Sequence, residues 1–140
     1  MGNSYESNFP WVNSSLNTSG PHNLWQTNGS NNPCAVGYHV PTHDEQVGLH
    51  NAILGTDVGN NQLNSSVIWN DKVFRLPASG LRSGGGAILS SQTSLGWLWS
   101  SKHSSSKDSW FLWFSDSSST AGYSYYGRSS GFSVRCIKDN

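Results

Sequence analysis

The sequence predicts an α+β domain in which one main helix packs on a mostly antiparallel, twisted sheet with long serine-rich loops. Three observations carry this reading. A helix start is written into Thr42, Asp44 and Glu45. From Gly96 onward, short aromatic and β-prone runs alternate with serine-rich spacers, the pattern of an antiparallel meander. The chain has 140 residues, 34% of them hydrophobic, enough for the core of one ordinary domain.

Residues 1–33 form an irregular, Asn- and Ser-rich lead-in with the turn pairs Asn28-Gly29 and Asn32-Pro33. The domain proper is expected over 34–140. Gly37-Tyr38-His39-Val40 is short and β-prone, and Pro41 stops it. Thr42 then caps the N–H of Glu45 while the Glu45 carboxylate reaches back, a capping box whose acidic residues also meet the helix dipole. A helix over 42–54 comes next, with Val47, Ile53 and Leu54 on its apolar stripe and Gly55 as its stop. Residues 60–64 read as loop, and Ser66-Val67-Ile68-Trp69 as weakly strand-like. Gly80-Leu81-Arg82-Ser83 and Gly84-Gly85-Gly86 read as turn and loop. The meander comprises 96–101, 110–114, 123–126 and 131–137, and in the last run Phe132, Val134 and Cys136 alternate with Ser133 and Arg135.

The run at 110–114 is apolar on both faces. Period two places Trp110, Leu112 and Phe114 on one side and Phe111 and Trp113 on the other, and only one side can pack on the helix. Either a loop or the lead-in covers the second side, or it forms an exposed aromatic platform rimmed by serine. On the platform reading, Phe111, Trp113, Ser124, Tyr126 and Ser130 share an accessible face, while Trp99, Trp110, Leu112, Phe114, Phe132 and Val134 are buried. Rigid Tyr and Trp with adaptable Ser and Gly is the composition of antibody-like binding surfaces.

Composition excludes other classes. Charged residues are 11% of the chain, and 8 Lys+Arg balance 8 Asp+Glu, with the cations scattered along the sequence. A nucleic-acid partner, which needs clustered positive charge, is therefore disfavoured. Seven Trp among 12% aromatic residues argue against disorder. No apolar run approaches the roughly 20 residues of a membrane span, so membrane insertion is not expected, and the opening MGNSYESNFP lacks the basic and apolar parts of a signal peptide. Solubility resting on Ser, Asn and Gly is a surface style of secreted or virion proteins. Cys34 and Cys136 are either a bridge closing a loop of ~100 residues, worth up to ~4.7 kcal/mol in the chain-entropy model, or two reduced thiols in separate parts of the core.

Four motifs, in order, resemble a known family. Asn31-Asn32-Pro33-Cys34-Ala35-Val36-Gly37-Tyr38-His39-Val40-Pro41-Thr42, Arg75-Leu76-Pro77-Ala78-Ser79-Gly80, Gly96 with Trp99-Ser100-Ser101, and Gly131-Phe132-Ser133-Val134-Arg135-Cys136-Ile137-Lys138-Asp139 look like the Fibrobacter succinogenes major paralogous domain. The family has proline where this chain has Ala35. The resemblance implies a C-type-lectin-like fold with its first strand beside its last, bringing Cys34 near Cys136. Many members are similar to variable proteins of diversity-generating retroelements, ligand-binding tips of phage tail fibres or bacterial surface proteins. The resemblance thus implies an extracellular binding domain for a protein or glycan ligand, without metal, cofactor or catalysis, any oligomer being set by the parent protein. The ligand-binding residues implied are Trp97, Phe111, Trp113, Ser124, Tyr125, Tyr126, Gly127 and Ser130. Such systems mostly vary AAC-type codons, which never yield Trp, so Trp97 and Trp113 are either fixed or differently encoded. The alternative is a structural module of a bacterial surface protein with no diversified site.

Other motifs carry less. Trp69-Asn70-Asp71 spells the calcium motif of sugar-binding C-type lectins, but it precedes the meander and has no Glu-Pro-Asn partner. His39 and His43 flank a proline and a helix start, not one helical face, as a zinc pair needs. No Gly-x-Ser-x-Gly turn marks an activated serine, and the close cysteine pair of the formylglycine-generating enzymes, which share the fold, is missing.

Overall fold

The structure is a computed structural model describing residues 25, 32–54, 63–70, 72–84, 88–105, 108–117 and 120–140. The lead-in expected over 1–33 lies outside these, apart from Trp25, Asn32 and Pro33. The described residues form a mixed helix and sheet structure with antiparallel sheets and one main helix. Its elements are β1 (Tyr38–His39), α1 (His43–Leu54), β2 (Leu63–Asn64), α2 (Ser65–Asn70), β3 (Leu81–Arg82), β4 (Leu89–Ser90), β5 (Leu95–His103), β6 (Asp108–Ser115), β7 (Thr120–Gly127) and β8 (Ile137–Lys138).

The helix begins where the capping box places it. The Glu45 N–H donates to Thr42 Oγ1 at 3.3 Å and the Thr42 N–H to Glu45 Oε2 at 2.8 Å, so each residue satisfies a donor that the first turn leaves open. Thr42→Ala is expected to cost ~1 kcal/mol, read as a lower urea midpoint at unchanged slope; an unchanged midpoint would remove Thr42 as the cap.

The main sheet has the order β2-β7-β6-β5, all neighbours antiparallel. Residues 131–133 extend it: Ser133 lies parallel to Leu98, the Trp99 N–H donating to the Ser133 carbonyl at 2.9 Å and the Ser133 N–H to the Trp97 carbonyl at 3.0 Å. Gly131 pairs with Arg82 and so joins the small β3-β4 ladder to the same edge. β1 pairs with β8 through Tyr38 with Lys138 and His39 with Ile137.

One face of the sheet is the core. Leu98, Leu112, Phe114 and Ala121 pack there with Ile68 of α2, all but closed to solvent, and α1 crosses the same face. Gln46 anchors the helix by donating to the carbonyls of Leu98 and Trp99, and the buried His50 bonds through Nδ1 to the Tyr123 hydroxyl. Gly96 is required here, since a Cβ on it would stand 2.0 Å from Cζ of Phe114. Gly80 is likewise fixed, with φ +69° and an added Cβ 2.2 Å from the Ser90 carbonyl oxygen.

Four expectations need correction. The segment read as weakly strand-like, 66–69, is the helix α2: Ile68 enters the core and Trp69 meets the Phe114 ring edge-on at 6.0 Å, so packing overrides its β-branched composition. Leu63 and Asn64, read as loop, form β2. Leu81 and Arg82, read as turn, form β3. The last run is not one continuous strand, because its pairing passes from β5 at Ser133 to β1 at Ile137, and Val134 is only half-buried.

Cys34 and Cys136 form a disulfide, with Cα atoms 5.9 Å apart, across the β1–β8 junction. Beside it, the buried His39 bonds through Nδ1 to Asp139 Oδ1 at 2.6 Å and through Nε2 to Glu45 Oε1 at 3.1 Å, tying the 137–139 segment to the helix start. Burial opposes the imidazolium, but the bonds and charges of Asp139 and Glu45 outweigh it and raise the His39 pKa above 6.5. Burial alone lowers that of His50 from 6.5 to about 4. The signs are opposite: His39 loses its stabilisation as pH rises through its folded pKa, and His50 destabilises as pH falls from 6.5 toward 4. Unfolding free energy is expected to fall on both sides of about pH 6.5. His39→Gln should flatten the alkaline limb, and an unaltered limb would show that the clasp does not titrate.

Candidate aromatic recognition face

The second face of the sheet is built by register. Trp97 pairs with Trp113, Trp99 with Phe111, Trp113 with Gly122, Phe111 with Ser124 and Ser109 with Tyr126. Side chains directly opposite in an antiparallel pair share a face, so Trp97, Trp99, Phe111, Trp113, Ser124 and Tyr126 lie together, away from α1. Phe132 joins them from the edge, stacked on Trp99 at 4.1 Å and 20° and edge-on to Trp97 at 4.8 Å.

This face has two depths. Phe111 is 4% exposed, stacked on Trp97 at 4.9 Å and 10°, with Phe132 edge-on at 5.0 Å, and Trp99 is buried beside it. They form a second aromatic layer inside the domain. Above it stand the half-buried Trp97, Trp113, Phe132 and Ser124 and the exposed Tyr126, at 49%. The Trp113 ring covers Gly122, whose missing side chain leaves the indole its place 3.2 Å from an ideal Cβ.

The sequence-predicted residues therefore divide. Trp97, Trp113, Ser124 and Tyr126 converge on the accessible face. Phe111, expected there, is buried, because Trp97 and Phe132 close over it. Ser130, also expected there, is 3% exposed, its N–H held by the Gly127 carbonyl at 3.0 Å in the turn after β7. Tyr125 points to the opposite face: it is 56% exposed and meets the Trp110 ring edge-on at 5.8 Å on the helix side. Gly127 ends β7, half-buried. Trp110, expected in the core, sits at the core's margin, half-buried between His43 and Tyr125. Phe132, expected to be buried, is instead a half-exposed member of the aromatic face. Strand alternation alone is enough to place Trp99 with Trp97 and to part Tyr125 from Tyr126.

The residues named on this face, Trp97, Trp113, Ser124, Tyr126 and Phe132, carry no charge. Arg128 lies just past β7, and burial lowers its guanidinium pKa against the opposing pull of Asp108. Among the described residues, no group of three or more His, Cys, Asp or Glu is placed to hold a metal ion, and no helix is long and apolar enough to cross a membrane. Flat rings edged by a serine hydroxyl and a tyrosine offer contact area and stacking with a few directional hydrogen bonds. No family model, curated protein or solved structure matches this chain.

Proposed function

We propose that this domain is a recognition module that binds a protein or glycan ligand through the face formed by Trp97, Trp113, Ser124, Tyr126 and Phe132. The observation that carries the reading is the gathering of half-exposed and exposed aromatic side chains on the sheet face opposite the helix-packed core. Clustered, accessible aromatic groups normally mark an interaction site. The motif resemblance supports the same reading, with a C-type-lectin-like fold at the tip of a phage tail fibre or on a bacterial surface protein, outside the cell. The chemistry proposed is binding without catalysis, metal or cofactor. Its diversifiable part is Ser124 and Tyr126, since Phe111 and Ser130 are packed inside and Tyr125 lies on the opposite face.

A second reading draws on the burial of Phe111 and Trp99. An aromatic layer continuous with the domain interior also suits a structural module packed on a neighbouring domain. The gene locus separates the two. A nearby reverse transcriptase with a near-identical repeat differing at adenines supports the recognition module.

The direct test screens the chain against a glycan array and a panel of bacterial cells beside Trp113→Ala and Tyr126→Ala. Both variants are expected to melt close to the parent yet lose about 2 kcal/mol or more of binding, roughly thirtyfold, on whatever target the parent retains. Retention of that target at parental affinity by both variants would overturn the reading.

A further inference from the structure

The main sheet ends in two unlike edges. Along β5 the outer edge is covered, since Ser133 lies beside Leu98 and bonds to the backbone of Trp97 and Trp99. Along β7 the cover is short. There β2 pairs with Thr120 and Ala121 alone, and Gly122, next to that pair, is buried. Among the described residues, 123–127 pair with β6 on the inner side and with no strand on the outer. Their one backbone bond outside the ladder is the N–H of Ser130 donated to the Gly127 carbonyl, in the turn that follows.

This edge lacks the features that keep exposed strands apart. Tyr123-Ser124-Tyr125-Tyr126-Gly127 contains no charge and no proline, and its register with β6 runs without a bulge. Tyr125 and Tyr126, 56% and 49% exposed, stand on opposite faces of it. Alternate residues of such a strand offer an N–H and a C=O at peptide spacing over roughly 17 Å, a pattern that an extended polypeptide completes and a sugar does not. The chain balances 8 Lys+Arg with 8 Asp+Glu, so two copies meet without net repulsion, and an uncharged edge gives a charged partner strand nothing to select. The strand that fits this edge is its own copy.

We propose that the chain forms a two-fold dimer in which β7 of one copy pairs antiparallel with β7 of the other. Residues directly opposite in such a pair share a face, and the two-fold axis keeps each residue on the same face in both copies. One residue must therefore lie opposite itself on the axis. The register that uses all five open positions sets Tyr125 against Tyr125, Ser124 against Tyr126 and Tyr123 against Gly127. The two sheets join into one, and cross-strand contact covers both exposed tyrosines. The two aromatic faces then lie side by side on one surface. Their use as a bivalent face rests on the recognition reading; the dimer does not.

The test is sedimentation equilibrium of the intact chain. Its mean mass is expected to rise toward twice the chain mass as concentration is raised from about 10 µM to about 1 mM, the behaviour of a small, reversible interface. Tyr125→Lys and Tyr125→Glu each place like charges opposite one another at the axis, and each should weaken association about tenfold or more. Mixed in equal amounts, the two variants should associate at least as well as the parent, because Lys then faces Glu. A parent chain that stays monomeric across the range overturns the proposal without recourse to any variant, and leaves the edge to a strand of a different protein. Variants that each associate like the parent, or a mixture that does not recover, overturn it as well by placing the contact elsewhere.

Discussion

Phe111→Ala is expected to cost about 3–5 kcal/mol, close to the loss for a residue of the main core. Its ring is 4% exposed and is touched by Trp97, Trp99 and Phe132, so truncation leaves a cavity with three aromatic walls instead of an opened patch of surface. The walls are themselves held by strand pairing and cannot collapse freely into the space. Urea denaturation beside Trp113→Ala, one position pair away on the same face, makes the contrast. A loss below about 1 kcal/mol at Phe111 would mean that the second layer is surface, not core.

Replacing both Cys34 and Cys136 by Ser should cost about 2–5 kcal/mol. The bridge closes a loop of about 100 residues, and the non-covalent contacts that hold the same junction among the described residues are modest. β1 and β8 share two residue pairs, Tyr38 with Lys138 and His39 with Ile137, and His39 adds its bonds to Asp139 and Glu45. Without the bridge, that short ladder must resist fraying at both chain segments at once. Denaturation of the parent with and without a thiol reductant gives the same comparison without mutation. Equal midpoints in the two conditions would show that the ladder suffices.

What could be read from the sequence was what is decided locally. The Thr42–Glu45 capping box, the helix behind it and the doubly apolar strand at 110–114 depend on neighbours a few positions apart, and each is found where the residues place it. What could not be read was depth. Alternation assigns Phe111 to a face but does not say that Phe132, arriving from the sheet edge, will cover it. The same limit explains α2, where Val67, Ile68 and Trp69 have strand composition inside a helix that the core holds by Ile68. Ser130 differs for a related reason: a serine looks exposed by type, and a turn that closes over it leaves no mark on the sequence.

The junction that closes the fold also settles how the domain bears load. Cys34 and Cys136 stand 5.9 Å apart between Cα atoms, and every element from β1 to β7 lies between them in the chain. A pull applied outside this pair travels through the covalent bridge from one flank to the other. The sheet, the helix and the aromatic face hang from it as an untensioned loop. Only a reducing environment would pass that tension to the two-residue ladder of β1 and β8.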